Sequence, residues 1–482
     1  MVNTFLEALA EVLDSDPPQQ YPPYMDSTLA CLAAWMPRQR WYSAKGRTPH
    51  LRFVASWDLT EPTAEVRVRT LLVSDEGSLP AVLYQVPLVA RATASVTAEA
   101  AQVIGSPEPG TTLIDGPTDP AYTEALLRLI TSGGRARGVR TVAVGWPASS
   151  APETGAEHTA HVITGEQSNT SIVYLPAGAT VPVICKVFRQ IQPGLNPDIE
   201  LQSALAAAGS PYVPRSIGSV EGQWPDLTTA AGSVSGSLAF AQEFLPAVED
   251  AWRLALRAAD VGEDFSAPAH AIGVAAAEVH VDLARLFPTR ATVRSDQEAT
   301  ATAWRRRLST AIAEVPALAE HREAISAAYD RALSIEWPAL QRIHGDLHLG
   351  QVIHVPDRGW VLVDFEGEPM RPMPERVRPE LALRDVAGML RSFDYVAGSI
   401  RLHQPDDAVE SAAEWSRTAR AAFLDGYAER SGVHLGPVAA LLEALELEKA
   451  VYEAIYEARN RPTWVSIPLG AIERLLTRHV RR

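Results

Sequence analysis

Apolar and polar positions alternate through much of the first half of the chain and recur at helical spacing through the second. Ala64-Glu-Val-Arg-Val-Arg-Thr-Leu-Leu-Val73 and Ala81-Val-Leu-Tyr-Gln-Val-Pro-Leu-Val89 repeat with period two and are rich in β-branched residues, which predicts strands behind a helical opening stretch. Residues 101–160 are rich in Pro and Gly at both ends around one expected helix, Ala121–Ser132, and read as a junction. From His158 the pattern runs strand, polar turn, strand, helix. Thr159–Leu175 predicts a hairpin, Val181–Phe188 a third strand, and Asp198 suits the N-cap of a helix. Ser237–Leu245 predicts another strand, closed by Pro246. Helices then predominate to the end, interrupted by short strands around His344–Asp364. The expected class is α+β, with an N-terminal domain over 1–100, an intermediate β-rich lobe over 101–245 and a helical lobe over 246–482.

Length and composition narrow the partners. A chain of 482 residues with 46% hydrophobic content suits two or three packed domains. With 43 basic and 58 acidic residues the net charge is −15, which disfavours nucleic acid and anionic membranes. The N-terminus lacks a basic leader region and no long apolar run follows, so the expected compartment is the cytoplasm. Cys31 and Cys185 are too far apart in the sequence to suggest a metal pattern. Only three basic residues are lysines: Lys45, Lys186 and Lys449. In a chain that otherwise uses Arg, a retained lysine suggests a need for a compact ammonium.

The chemistry concentrates in His344-Gly-Asp346-Leu-His348-Leu-Gly-Gln351 and Trp360-Val-Leu-Val-Asp364-Phe-Glu366-Gly-Glu368. Phosphoryl transfer needs a carboxylate to take the acceptor's proton and hard oxygen ligands around Mg²⁺. Asp346 suits the base, and Gln351 and Asp364 the metal ligands. His344 and His348 have the spacing of a zinc pair, but no Glu or Cys completes such a site at ligand spacing.

These two motifs resemble the catalytic and metal loops of aminoglycoside-phosphotransferase-like kinases. Together with Arg384-Asp-Val-Ala-Gly-Met-Leu-Arg-Ser-Phe393 and Lys449-Ala-Val-Tyr-Glu453 they resemble the actinobacterial maltokinases. Arg38-Gln-Arg-Trp-Tyr42, Glu166-Gln-Ser-Asn-Thr-Ser171 and Asn196-Pro-Asp-Ile-Glu200 extend the resemblance into the first half. It implies a bilobal protein-kinase-like fold with an N-terminal β-rich cap, and ATP with Mg²⁺ as cofactors. Lys186, mid-strand among apolar residues, would then meet the phosphates, with Glu200 as its ion-pair partner. Gln167, Ser168, Asn169, Thr170 and Ser171 would form a phosphate loop. Gln242, Glu243 and Phe244 would hold adenine between the lobes. A kinase-like binding protein without chemistry is the non-enzyme alternative, and the filled positions Lys186, Glu200, Asp346, Gln351 and Asp364 speak against it.

The resemblance places a sugar acceptor near Lys449, Tyr456, Arg461 and Trp464, with His348, Glu366 and Glu448 as further candidates. Where maltokinases usually carry Tyr, Asp and His, this chain has Leu445, Glu448 and Asn460, and Thr463 replaces a Gly. The same family includes glucosamine kinases. A carboxylate-rich helix would favour a cationic amino sugar, so glucosamine is expected ahead of maltose or an aminoglycoside. A monomer or homodimer is expected, with no nucleic-acid or membrane partner.

Overall fold

The computed structural model describes residues 24–480 except 64, 98, 100–101, 150, 153, 155–157, 164–168, 179, 230–231, 247, 369–370 and 404–407. The chain divides into two compact units, Met1–Asn196 with Arg215–Phe244, and Pro197–Pro214 with Leu245–Arg482.

The first unit is built on one sheet. Helix α1 (Met25–Trp35) precedes strands β1 (Leu51–Asp58), β2 (Val66–Asp75) and β3 (Val82–Ala92). Then come β4 (Val103–Gly105), β5 (Thr111–Asp115), helix α2 (Pro120–Ser132), β6 (Arg135–Val139) and β7 (Thr141–Pro147). Strands β8 (His158–Val162), β9 (Asn169–Pro176), β10 (Val183–Phe188), β11 (Ser216–Pro225) and β12 (Ser233–Glu243) complete it. Their order is β4-β5-β3-β2-β1-β6-β7-β11-β12-β10-β9-β8.

The expected junction at 101–160 is therefore largely sheet, with β4 to β7 flanking the predicted helix. Its strands are short, and β5 and β7 are buried along most of their length, so alternation is weak there. A Cβ at Gly145 would meet the Leu129 carbonyl oxygen at 1.9 Å, so helix α2 approaches β7 only because that residue is glycine. Lys45 also finds its role here. Its ammonium donates to the carbonyls of Pro37 and Gln39, closing the turn after α1.

The second unit is helical, as expected. Its helices are α3 (Pro197–Ala207), α4 (Ala251–Val261), α5 (Ser266–Leu286), α6 (Arg294–Glu314), α7 (Arg322–Leu333) and the short α8 (Met373–Arg376). They continue with α9 (Leu383–His403), α10 (Ala408–Ser431), α11 (Leu435–Asn460) and α12 (Ser466–Val480). Asp198 lies inside α3 rather than capping it, because Pro197 already occupies the first helical turn. A small sheet, β13 (Glu249–Asp250), β14 (Val352–Val355) and β15 (Gly359–Leu362), stands among the helices. Apolar faces of α5, α9, α10 and α11 meet in one core that includes Ile272, Leu390, Phe423 and Leu447. The loops on either side of β14 and β15 are set against this core. Among the described residues no helix is long and apolar enough to cross a membrane.

Candidate active site

The His344–Gln351 loop is held by its backbone. Asp385, near the start of α9, accepts from the N–H groups of His344 at 2.8 Å and Gly345 at 2.9 Å. Gly345 has φ of +87°, so the chain turns through a left-handed residue directly before Asp346. The His344 ring donates from Nε2 to the Val363 carbonyl at 3.0 Å and lies 4.5 Å from the Phe365 ring, centroid to centroid. The Val363 N–H in turn donates to the Gln351 carbonyl at 3.0 Å. The two predicted motifs are thus locked together.

Asp364 follows β15 with φ of +68°, a conformation that few non-glycine residues adopt. The Gln351 amide nitrogen donates to Asp364 at 3.0 Å, leaving its amide oxygen for a cation. Carboxylate oxygens of Asp198, Asp364 and Glu366 lie within 4.8 Å of one another, a hard-oxygen set that fits Mg²⁺. Asp198 is buried and also accepts from the Phe365 N–H at 2.8 Å. Sequence reasoning used it only as a helix cap and missed its place beside Asp364. The zinc alternative finds no geometry: the His348 Nδ1 accepts from Gly350 N–H at 3.0 Å, and His344 Nε2 is held by Val363. Burial lowers the His348 pKa, which favours the neutral ring that braces the turn through Nδ1.

Lys449 of α11 reaches the same loop. Its ammonium donates to Glu368 at 2.7 Å and stands 3.4 Å from an Asp346 oxygen. Burial opposes its charge, but Glu368 and Asp346 outweigh that and raise its pKa well above the ordinary value. Glu368 would be raised by burial, yet Lys449 and Arg384 bring it down to about 2. These groups and Glu448 border a narrow cleft that also touches Gly345 and Leu445.

The carboxylate-rich surface expected along α11 is corrected by the structure. Glu443 pairs with Arg331 at 2.9 Å, Glu446 with Arg420 at 2.6 Å, Glu448 with Arg307, and Glu453 with Arg391 at 2.7 Å. Glu446 and Glu448 are buried, and a buried carboxylate needs such a partner. Helical spacing exposes the run of glutamates to a reader; their arginines come from α6, α7, α9 and α10 and leave no local signal.

Seven residues along α11 from Lys449, roughly 10 Å, Tyr456 begins a second cluster. Arg461 lies 4.6 Å from the Trp464 ring and 5.8 Å from the Tyr456 ring, and pairs with Glu457 at 2.6 Å. Tyr395 donates to Glu457 at 3.0 Å and stacks on Trp464 at 6.4 Å. The structure brings Tyr456, Arg461 and Trp464 together, and adds Tyr395 and Glu457, which sequence reasoning missed.

The remaining candidates fall elsewhere. Gln167 and Ser168 lie outside the described residues. Asn169, Thr170 and Ser171 belong to β9 rather than to a loop, and the Thr170 hydroxyl accepts from Arg189 at 2.8 Å. Lys186 is buried mid-strand on β10, opposite Ser171 and Phe240. Glu200 is engaged inside the second unit by Arg342. Gln242 is buried near the end of β12. The N–H groups of Glu243 and Phe244 donate to the Arg215 and Pro182 carbonyls at 2.8 Å each, so an adenine there would have to use other backbone groups.

Residues 159–441 match the model of the phosphotransferase enzyme family, and residues 35–119 that of the maltokinase N-terminal cap domain. The chain belongs to the phosphotransferase enzyme family. Among this phosphotransferase's relatives, a glucosamine kinase of Streptacidiphilus jiangxiensis is 29% identical over 331 residues, 64% of this chain and 72% of that one. A glucosamine kinase of Mycolicibacterium smegmatis is 29% identical over 334 residues, 65% of this chain and 79% of that one. A solved glucosamine kinase in complex with glucosamine, ADP and inorganic phosphate shares the fold with a TM-score of 0.65 at 22% identity, over 95% of this chain and 100% of that one.

Proposed function

We propose that this phosphotransferase moves the γ-phosphate of ATP onto a hydroxyl of glucosamine, giving glucosamine 6-phosphate. The observation that carries the reading is the placing of Lys449 between Glu368 and Asp346 at the wall of a small cleft. Two relatives that act as glucosamine kinases support the same acceptor.

In this reading Asp346 accepts the proton of the acceptor hydroxyl. Lys449, 3.4 Å from that carboxylate, orients it. Lys186 steadies the phosphates of ATP. Gln351, Asp364, Asp198 and Glu366 would hold Mg²⁺, which when bound neutralises charge on the phosphates. Arg461, Tyr456 and Trp464 offer an aromatic platform with hydrogen-bonding charge to a sugar's apolar face and rim.

The maltokinase reading is favoured by one observation, the match of residues 35–119 to a maltokinase cap. ADP release with Mg²⁺·ATP, measured against glucosamine, maltose, glucose and an aminoglycoside, separates them. Turnover with glucosamine and not maltose supports the proposal; the reverse preference overturns it.

A further inference from the structure

The chain carries a net charge of −15, yet residues 36–57 hold Arg38, Arg40, Lys45, Arg47 and Arg52 and no Asp or Glu. The proposed phosphoryl transfer uses none of them. The segment follows α1, inside the region that matches the maltokinase cap. Lys45 folds it back on itself by donating to the carbonyls of Pro37 and Gln39. That contact brings Arg38 and Arg40, which flank Gln39, onto the same turn as Arg47. An ammonium has three donors, so one N–H of Lys45 is left over from the two carbonyls.

The turn forms one wall of a groove. Across from it stand Ser78, Leu79, Pro80 and Val82, from the connection between β2 and β3 and the start of β3. With Ser43, Lys45 and Arg47 they border an open groove of about 450 Å³, within the range of small-molecule sites. The neighbouring carboxylates are already committed. Asp75 accepts from the Tyr42 hydroxyl at 2.6 Å and from the His50 and Gly77 N–H groups at 3.0 Å each, and Glu76 pairs with Arg52. Arg47 is exposed, and its guanidinium has no ion pair or hydrogen bond among the described residues.

The other lining groups complete the chemistry. Tyr84 accepts from the Ser43 N–H at 3.3 Å, and its hydroxyl lies 2.8 Å from Ser43 Oγ. A phenol that accepts there and donates to Ser43 Oγ leaves the serine proton for the groove. Leu79 is 97% exposed, and Pro80 and Val82 continue its apolar wall. One exposed leucine needs no explanation, but this one stands across a groove from two cations. A phosphate would take charge-assisted hydrogen bonds from Lys45 and Arg47, and a ring attached to it would cover the apolar wall. A neutral sugar would leave both cations unanswered. A polyanion would meet the negative charge of the rest of the chain.

We propose that the groove between the Lys45 turn and the β2–β3 connection binds a small phosphate monoester carried on a ring, of which a hexose phosphate is the simplest case. None of its residues belongs to the candidate active site, and the proposal does not depend on which sugar is the acceptor.

Calorimetric titration with glucose 6-phosphate, on the full-length protein saturated with Mg²⁺·ADP and glucosamine, measures the site. The wild type should bind with a Kd on the order of 0.1–1 mM. Arg47→Ser should weaken binding at least about 10-fold. Leu79→Asp sets a carboxylate at the lip of the groove without touching the core and should weaken it by a similar factor. Arg322→Ser removes an exposed arginine of the second unit and should change nothing. Inorganic phosphate should bind about 3–10-fold more weakly than the ester. No saturable binding by the wild type, unchanged binding in Arg47→Ser, or an equal loss in Arg322→Ser overturns the site. Inorganic phosphate binding as tightly as the ester overturns the ring-bearing ligand. A Glu-rich decapeptide that binds more tightly, with the same dependence on Arg47, overturns the small-molecule assignment. The readout is binding rather than turnover, so failure of glucosamine as the acceptor leaves this test standing.

Discussion

Lys449 donates to Glu368 at 2.7 Å, and the same ammonium stands 3.4 Å from Asp346. One cation thus serves a structural carboxylate and the proposed base together. Lys449→Met should lower kcat by roughly 10²–10³-fold, the scale for one preorganised charge. It should also lower stability by roughly 3 kcal/mol, because Glu368 is left buried and uncompensated. Initial rates and thermal melts of the variant check both.

Acid stability follows from Glu368. Lys449 and Arg384 bring its pKa below the unfolded value, to about 2. Its contribution is therefore present above about pH 4.5 and is lost as pH falls towards 2. Between pH 6 and pH 3 this group should remove on the order of 2 kcal/mol from the wild type. Urea melts of Glu368→Gln should show a smaller fall over that range, and an unchanged slope would remove Glu368 from the account.

The Arg307–Glu448 pair offers a test of specificity. Arg307 also stacks 5.5 Å from the Tyr452 ring. Arg307→Leu leaves the Glu448 carboxylate beside the cleft without its cation. The variant should favour a cationic over a neutral sugar by about 5–10-fold in kcat/KM relative to the wild type. Competition between glucosamine and glucose reads this ratio.

Asp394 is buried among Arg391 at 2.7 Å, Arg420 at 3.0 Å and Arg474 at 2.5 Å. Asp394→Ala should cost about 3–5 kcal/mol, since three guanidinium groups lose their shared counter-charge. Because Arg391 also holds Glu453 and Arg420 holds Glu446, the variant should loosen α11 first. Hydrogen exchange along Leu435–Asn460 measures that loosening.

The two motifs around Asp346 and Asp364 were legible because their groups are contiguous in sequence and fold as one loop pair. The helical second unit was legible for the same local reason, its apolar periodicity. Strands β4 to β7 were not, since β5 and β7 are short and buried and lose the alternation that marks a half-exposed sheet, while β4 and β6 span only three and five residues. Nor were the partners of Glu446, Glu448 and Glu453, which lie on distant helices and are specified only by packing. Asp198 carried a double signal, and its suitability as a helix cap hid its place beside Asp364.

The most direct test is the identity of the product. The wild-type protein should be incubated with Mg²⁺, ATP and an equimolar mixture of glucosamine and maltose, and the products read by phosphorus NMR, with Asp346→Asn in parallel. Glucosamine 6-phosphate from the wild type, with turnover at least about 10²-fold lower in the variant, is the predicted result. A phosphate at the anomeric position of maltose instead, or equal turnover by Asp346→Asn, would contradict the account.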